Sequence, residues 1–510
     1  MPAPRPGTVA ALVESQAARQ PGATYFIAAE SGRTLAFGEL ADSCRRVGAL
    51  VARHAGKPGA HVSIVMPNGI ATLRILLGAM AGGYCVNPVN LLAQPEQMRY
   101  VIEHCGSTVV FASPEWAAKV RALVRDIPRA IAVVEVDPEA TTLPGERGDD
   151  SGVELPSVAP EALALLMYTS GTTGKPKGVM LTQANLAANA HAISAEHRLG
   201  PRDRVTAVLP LYHINAFAVT MLAPLAHGGS LAMPPKFSAS RFWDLAIRHR
   251  CTWLNMVPTM VSYLLEREAP SREEIGHVRF CRTASAPLPP EHLRAFEEKF
   301  GVGVIETMGL TETVAPAFSN PYERDRRRVG SVGRPSGCEA RIVDERGAEL
   351  PDGTPGEIAI RGPQVTPGYY KNEAATAAAF FPDGWFRTGD VGVRDAEGYF
   401  FVTGRIKELI IKGGENIAPR EIDEVLLRHP AVLDAAAVGI PDRHYGQEIL
   451  ACVIRRAGAE CSEEELRGFC VEHLGPFKAP KEIRFVEELP RGPSGKVQRL
   501  KLLDASPGTS

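Results

Sequence analysis

Tyr168-Thr-Ser-Gly-Thr-Thr-Gly-Lys-Pro-Lys-Gly178 follows directly on the strand-like run Ala162-Leu-Ala-Leu-Leu-Met167, and its residues are those of a loop built to meet an anion. Glycines let a backbone approach a phosphate closely, while hydroxyls and lysines donate to its oxygens. A polar hairpin turn is the plainer reading of the same residues. A P-loop is the sharper rival, but that motif needs Gly-Lys followed at once by Ser or Thr, and here Gly174-Lys175 runs into Pro176. The spacing rules the P-loop out.

On either side of this stretch, short apolar runs alternate with helical ones. Residues from about Thr8 to Arg53 carry helical apolar periodicity, and Ala60-His-Val-Ser-Ile-Val-Met66 reads as a buried strand ending at the turn Pro67-Asn68-Gly69. A helix follows from Ala71 to about Gly82, and Thr108-Val-Val-Phe111 and Ile131-Ala-Val-Val-Glu-Val136 continue the rhythm of βα units around a largely parallel sheet. Asp137 to Ser157, rich in Gly, Pro and acids, is expected to be a surface connection. The α/β rhythm then resumes to about residue 320. Short strands and the turns Asp352-Gly353, Asp383-Gly384 and Glu397-Gly398 predict a small β-rich part over about 330–400. Beyond Thr403 the pattern is a compact α+β unit, with strands Leu409–Ile411, Val432–Gly439 and Glu448–Ile454 and helices Pro419–His429 and Ser462–Leu474. The expected fold class is α/β: a large N-terminal domain of α/β layers over 1–404 that includes the β-rich part, and a small α+β C-terminal domain over 405–510.

Composition narrows the partners. Of 510 residues 45% are hydrophobic, 22% charged and 6% aromatic, which suits large cores and not a disordered chain. Lys plus Arg number 56 against 58 Asp plus Glu, so the net charge of −2 supplies no general attraction to nucleic acid or an anionic membrane. The start has no basic stretch followed by an apolar one, and no window reaches the roughly 20 apolar residues of a membrane span. Nine scattered cysteines without CxxC spacing argue for a reducing compartment, so the expected location is cytoplasmic.

Further motifs recur along the chain: Thr283-Ala-Ser-Ala-Pro287, Thr307-Met-Gly-Leu-Thr-Glu312, Trp385-Phe-Arg-Thr-Gly-Asp390, Gly404-Arg-Ile-Lys-Glu408 and Pro493-Ser-Gly-Lys-Val-Gln-Arg499. Together with the opening loop, and in this order, they resemble the motifs of the acyl-adenylate-forming superfamily, to which AMP-forming acyl-CoA synthetases belong. The resemblance covers essentially the whole chain. It implies an acid–thiol ligase in which a carboxylate displaces pyrophosphate from ATP and the acyl-AMP then passes its acyl group to CoA. Catalysis of that first step is mainly positioning and charge neutralisation.

The resemblance also implies roles. Lys496 would bridge the carboxylate and the α-phosphate, a point charge on a flexible stem, and Glu312 would ligate Mg²⁺. Thr169, Ser170, Gly171, Thr172, Thr173, Gly174 and Lys177 would hold the outer phosphates. The nucleotide would lie along Ser285, Ala286 and Pro287 and against Thr307, Met308, Gly309 and Thr311, with Asp390 and Arg405 at the ribose. His213, in Leu209-Pro-Leu-Tyr-His-Ile-Asn215, would stand with Val257, Met308, Gly309 and Val314 at the acyl pocket. Lys407 marks the hinge about which a mobile C-terminal domain turns. Gly413, Gly414, Tyr445, Phe477 and Lys478 would then receive CoA. Met308 stands where the superfamily usually has an aromatic residue, Gly492 where Thr is common, and Ala479 where certain CoA ligases have Arg.

The co-substrates and cofactor implied are ATP, Mg²⁺ and CoA, and the chain could act as a homo-oligomer. A stand-alone enzyme that loads a carrier-protein phosphopantetheine is the alternative, and an inactive acyl- or nucleotide-binding scaffold the rival from another class. The segments expected around the acid are mostly apolar, which favours a lipophilic acid. Arg282 is their one nearby cation, so a dicarboxylate is the less expected acid but stays open.

Overall fold

The segment Ile70–Ala81 is buried at all 12 of its positions, and a helix apolar on every side has to be enclosed. Here it is enclosed between two sheets. In the computed structural model, which describes residues 7–169, 175–491 and 497–504, this helix and Phe37–Ala55 share one core with strands of both sheets. The calls on Ser170, Gly171, Thr172, Thr173, Gly174, Gly492 and Lys496 lie outside the described residues.

One sheet has nine strands. At its centre Val304–Met308, Phe280–Thr283, Trp253–Met256, Arg204–Thr206, Ser230–Met233 and Thr24–Ala28 run parallel, so their carboxyl ends open on one edge, where ligands of open α/β sheets bind. The second sheet has seven strands. Its parallel members include His61–Val65, Val109–Ala112 and Ala132–Glu135, close to the runs read from sequence. The strand Leu163–Thr169 pairs antiparallel with Lys177–Thr182, Thr169 opposite Lys177. The phosphate loop therefore joins two strands of a hairpin, and the P-loop fails on topology as well as on spacing, since it leads from strand to helix.

Two expectations need correction. The periodic stretch from Thr8 to Arg53 is not helical throughout: helices Val9–Arg19 and Phe37–Ala55 flank strands Thr24–Ala28 and Thr34–Ala36. Thr24-Tyr-Phe-Ile-Ala28 pairs with the distant Ser230–Met233, a tertiary partner that decides strand over helix and that local periodicity cannot reveal. The connection 137–157 is also more than surface, because the side chain of Glu146 is buried and paired with Arg74 at 2.5 Å and Arg46 at 2.8 Å. Those arginines, on the two enclosed helices, clamp it down.

The β-rich part is a four-stranded antiparallel sheet of Glu339–Val343, Gly356–Arg361, Phe386–Arg394 and Phe400–Arg405. A short strand from the same stretch, Gly368–Tyr369, leaves it to pair with Lys177–Thr182. After the single turn Ile406–Glu408 comes a smaller domain with its own core. It contains the long hairpin Val432–Asp442 and Gly446–Arg455 and the helices Pro419–Leu427 and Glu463–Leu474. Ser462 caps the second helix by accepting from the Glu465 amide at 3.1 Å. The nine cysteines are free, and all but the half-buried Cys338 are buried. No helix among the described residues is long and apolar enough to cross a membrane.

Candidate active site

The segments singled out from sequence around Thr283–Pro287 and Thr307–Glu312 follow Phe280–Thr283 and Val304–Met308 at the carboxyl edge of the nine-stranded sheet. Thr307, at the end of Val304–Met308, donates its hydroxyl to the Thr283 carbonyl at 3.1 Å on the neighbouring strand. Beyond Thr283 the chain turns at Ser285, whose φ of 77° is left-handed although it is not glycine. Gly309 cannot be anything larger, because a Cβ there would sit 2.7 Å from the Ala315 Cα. Thr311 and Glu312 follow in one 3-10 turn, and the buried Val314 closes it at φ 57°. Two non-glycine residues held in the left-handed region mark this edge as overdetermined by its surroundings. Ala286 and Met308 are half-buried and Pro287 exposed along the same face.

Glu312 is fixed on two sides. Its carbonyl accepts from the Thr366 amide at 2.7 Å, and its Oε1 accepts from the Tyr369 hydroxyl at 2.9 Å. Lys177 lies with its Nζ 5.1 Å from the centre of the Tyr369 ring, so the base of the phosphate loop, Tyr369 and Glu312 are contiguous. Asp390 and Arg405 face each other across a hairpin, with Arg405 Nε 2.6 Å from Asp390 Oδ1. The Asp390 carboxylate, with Glu312 among the further causes, holds the Arg405 guanidinium above its ordinary range. Glu312, Asp390 and Arg405 thus share one electrostatic neighbourhood. Among the described residues no group of three or more His, Cys, Asp or Glu side chains could hold a metal. The Glu312 carboxylate fits Mg²⁺, which takes one or two carboxylates and draws its other oxygens from phosphates and water.

The residues expected at the acid begin in the loop after Arg204–Thr206. His213 is half-buried and makes a tilted edge contact with Tyr212 at 4.8 Å. It leads into the π-helical stretch Asn215–Leu222, buried at every position, a geometry common at functional sites. Val257 is half-buried at the end of Trp253–Met256. Close by in the chain and the sheet is a buried polar group: Arg282 is fully buried, with Asn255 and Asn215 against it. Its Nη1 donates to Asn215 Oδ1 at 2.8 Å and to Asn255 Oδ1 at 2.7 Å, and Asn215 Nδ2 reaches Ser285 Oγ at 3.2 Å. Sequence reasoning missed Asn215, Asn255 and Tyr369. Asn215 closes the run that carries His213, and that proximity was the available signal; the other two meet the site only through strand pairing.

The residues assigned to CoA form a second cluster, on the smaller domain. Gly413 and Gly414 make the two-residue turn between Ile410–Lys412 and Glu415–Ile417, both with positive φ (58° and 86°), as such tight hairpins demand. The Tyr445 and Phe477 rings meet edge to face at 6.3 Å, and a Cβ on Gly413 would stand 3.3 Å from Tyr445 Cδ1. Lys478 is paired with Glu421 at 2.6 Å and Lys481 with Asp442 at 2.7 Å. Ala479 packs in the core of this domain. Lys407 is exposed in the turn between the domains.

Comparison with known proteins agrees with this architecture. Residues 13–370 match the AMP-binding enzyme family and residues 421–496 its C-terminal domain. The sulfoacetate–CoA ligase of Cupriavidus necator is 56% identical over 498 residues, 98% of this chain and 97% of that one. The oxalate–CoA ligase of Arabidopsis thaliana is 36% identical, covering 96% of this chain and 97% of its own. The crystal structure of ATP-bound MatB from Rhodopseudomonas palustris superposes with a TM-score of 0.90 at 31% identity, covering 98% of both chains. The chain belongs to the AMP-binding enzyme family. Within it, the protein is an AMP-forming acid–CoA ligase that uses ATP, Mg²⁺ and CoA.

Proposed function

We propose that the acid is small and strongly polar, with sulfoacetate the foremost substrate, and that the lipophilic acid expected from the apolar segments is not what this pocket selects. The observation that carries this is the buried polar group of Arg282, Asn215 and Asn255, because a hydrocarbon chain laid against it would leave buried donors unpaired. The 56% identity to a sulfoacetate–CoA ligase across nearly the whole chain supports the same acid.

In this reading the carboxylate attacks the α-phosphorus, pyrophosphate leaves, and the CoA thiol then attacks the acyl carbonyl and releases AMP. Thr169, Lys177 and the intervening loop hold the outer phosphates, Asp390 with Arg405 holds the ribose, and Lys496 bridges the two anions that must meet. Magnesium, held by Glu312 and the phosphates, would supply charge neutralisation on the phosphate oxygens. Tyr369 orients the Glu312 carboxylate, and Ser285 and Gly309 let the backbone come close to the nucleotide. The hinge is Lys407, with the domain boundary in its turn.

A screen of sulfoacetate, oxalate, benzoate and octanoate for acyl-CoA formation with ATP tests the reading. Sulfoacetyl-CoA should be the main product. Faster turnover of benzoate or octanoate would overturn the polar-acid assignment and restore the lipophilic one.

A further inference from the structure

Arg282 carries a charge that the fold does not neutralise. It stands on Phe280–Thr283 directly across from Asn255 on the adjacent strand, and its side chain is fully buried. Both oxygens that its Nη1 meets belong to neutral amides. Its Nε and Nη2 are buried without a hydrogen-bond partner among the described residues. No carboxylate acts on it: burial pushes the guanidinium down to about 9, and the one opposing influence is Cys281, whose own thiol burial pushes well up. The neighbouring His197 is held down to about 3 by its burial and by Arg282. At neutral pH the group is therefore a cation with no counter-ion around it.

The unpartnered atoms are not scattered. Nε–H and the adjacent Nη2–H point the same way along one edge of the guanidinium, which is the geometry that grips two oxygens of one anion. Asn215 and Asn255 occupy the other side, and among the described residues nothing hydrogen-bonds to that edge. The surroundings of those amides place the group in the fold. Asn215 lies two residues past His213, Asn255 two before Val257, and Asn215 is hydrogen-bonded to Ser285 on the nucleotide side. An anion reaching this edge would lie within a guanidinium's breadth of the two amides that border the proposed acid site.

We propose that Arg282, oriented by Asn215 and Asn255, is the subsite for a second anionic group on the acid, so that the enzyme selects short acids with a distal sulfonate or carboxylate. The proposal rests on the acid–CoA ligase reading of the same pocket and adds the residue that discriminates. A buried donor pair left empty is what lets such a site reject the neutral analogue, and rejection on the order of 100-fold or more is within the reach of a hydrogen-bonding pocket.

ATP–pyrophosphate exchange with purified full-length protein tests this. The probes are sulfoacetate, malonate and methylsulfonylacetate, a neutral isostere that keeps the carboxylate and the sulfur group's shape. In the wild type kcat/KM should favour sulfoacetate over the isostere by roughly 100-fold or more, and in Arg282→Met that ratio should collapse towards about one. Arg282→Lys should fall between, since it keeps the charge but loses the fork. Equal use of the charged and neutral isosteres by the wild type overturns the proposal without recourse to any variant, as does an unchanged ratio in Arg282→Met. Malonate used far better than sulfoacetate, with Arg282→Met losing it, overturns sulfoacetate as the acid while supporting the anion subsite. Sulfoacetate used well with no dependence on Arg282 does the reverse.

Discussion

The Tyr369 hydroxyl donates to Glu312 Oε1 over 2.9 Å and ties the strand that pairs with the Lys177–Thr182 hairpin arm to the Glu312 carboxylate. Burial, with Glu312 next, raises the phenol well above its ordinary value, so it remains a neutral donor. If Glu312 ligates Mg²⁺ as proposed, this bond would orient the carboxylate for it.

Tyr369→Phe should weaken the Mg²⁺ dependence of pyrophosphate exchange by about tenfold, the lower end of what a hydrogen bond to a charged group contributes. The measurement is the apparent Mg²⁺ constant at fixed ATP. A constant equal to the wild type's would show that Tyr369 does not position Glu312.

Glu306, just before Thr307, gives a pH signature. Burial pushes its carboxyl up from 4.5 to about 7, outweighing the Gly330 and Leu288 amides and Arg420, which pull it down. The folded protein then holds a proton that the unfolded chain has released. Its contribution to stability is present in full below the unfolded value and is lost as pH rises through the folded one. Between about pH 5 and about pH 7.5 the Tm of the wild type should therefore fall more than that of Glu306→Gln. Parallel Tm curves would contradict the assignment.

Tyr445 and Phe477 form an aromatic corner beside Gly413. If the CoA adenine stacks there, Tyr445→Ala should remove a contact of roughly 1–3 kcal/mol and raise the KM for CoA by about tenfold or more, without moving the KM for ATP. An unmoved KM for CoA, with faster turnover on a phosphopantetheinylated carrier protein, would favour the carrier-loading alternative.

Lys496→Ala should abolish adenylation yet leave thioester formation from supplied acyl-AMP largely intact, because the lysine neutralises charge only where carboxylate meets phosphate. Lys407→Pro should do the opposite: fixing φ near −65° obstructs the rotation that the second step needs. Separate assays of the two half-reactions check both, and equal losses in each half-reaction would sink either assignment.

The order of the motifs carried the family resemblance from which the reaction class followed, and the alternation of short apolar runs with helical ones gave the α/β layers, since both are features of adjacent residues. The helix Ile70–Ala81 and the strands around it were legible for a similar reason: their apolar periods are local. What local sequence could not decide is anything settled by partners far along the chain. Thr24–Ala28 became a strand because Ser230–Met233 lies beside it, Tyr369 reached Glu312 because its strand crossed to the phosphate-loop hairpin, and the side chain of Glu146 was buried because Arg74 and Arg46 converge on it. The character of the acid pocket belongs with these. Arg282 read in sequence was one cation among apolar neighbours; strand register set it against Asn255, the π-helical start brought the Asn215 oxygen to the same Nη1, and burial in a low dielectric made its remaining donors costly to leave unpaired.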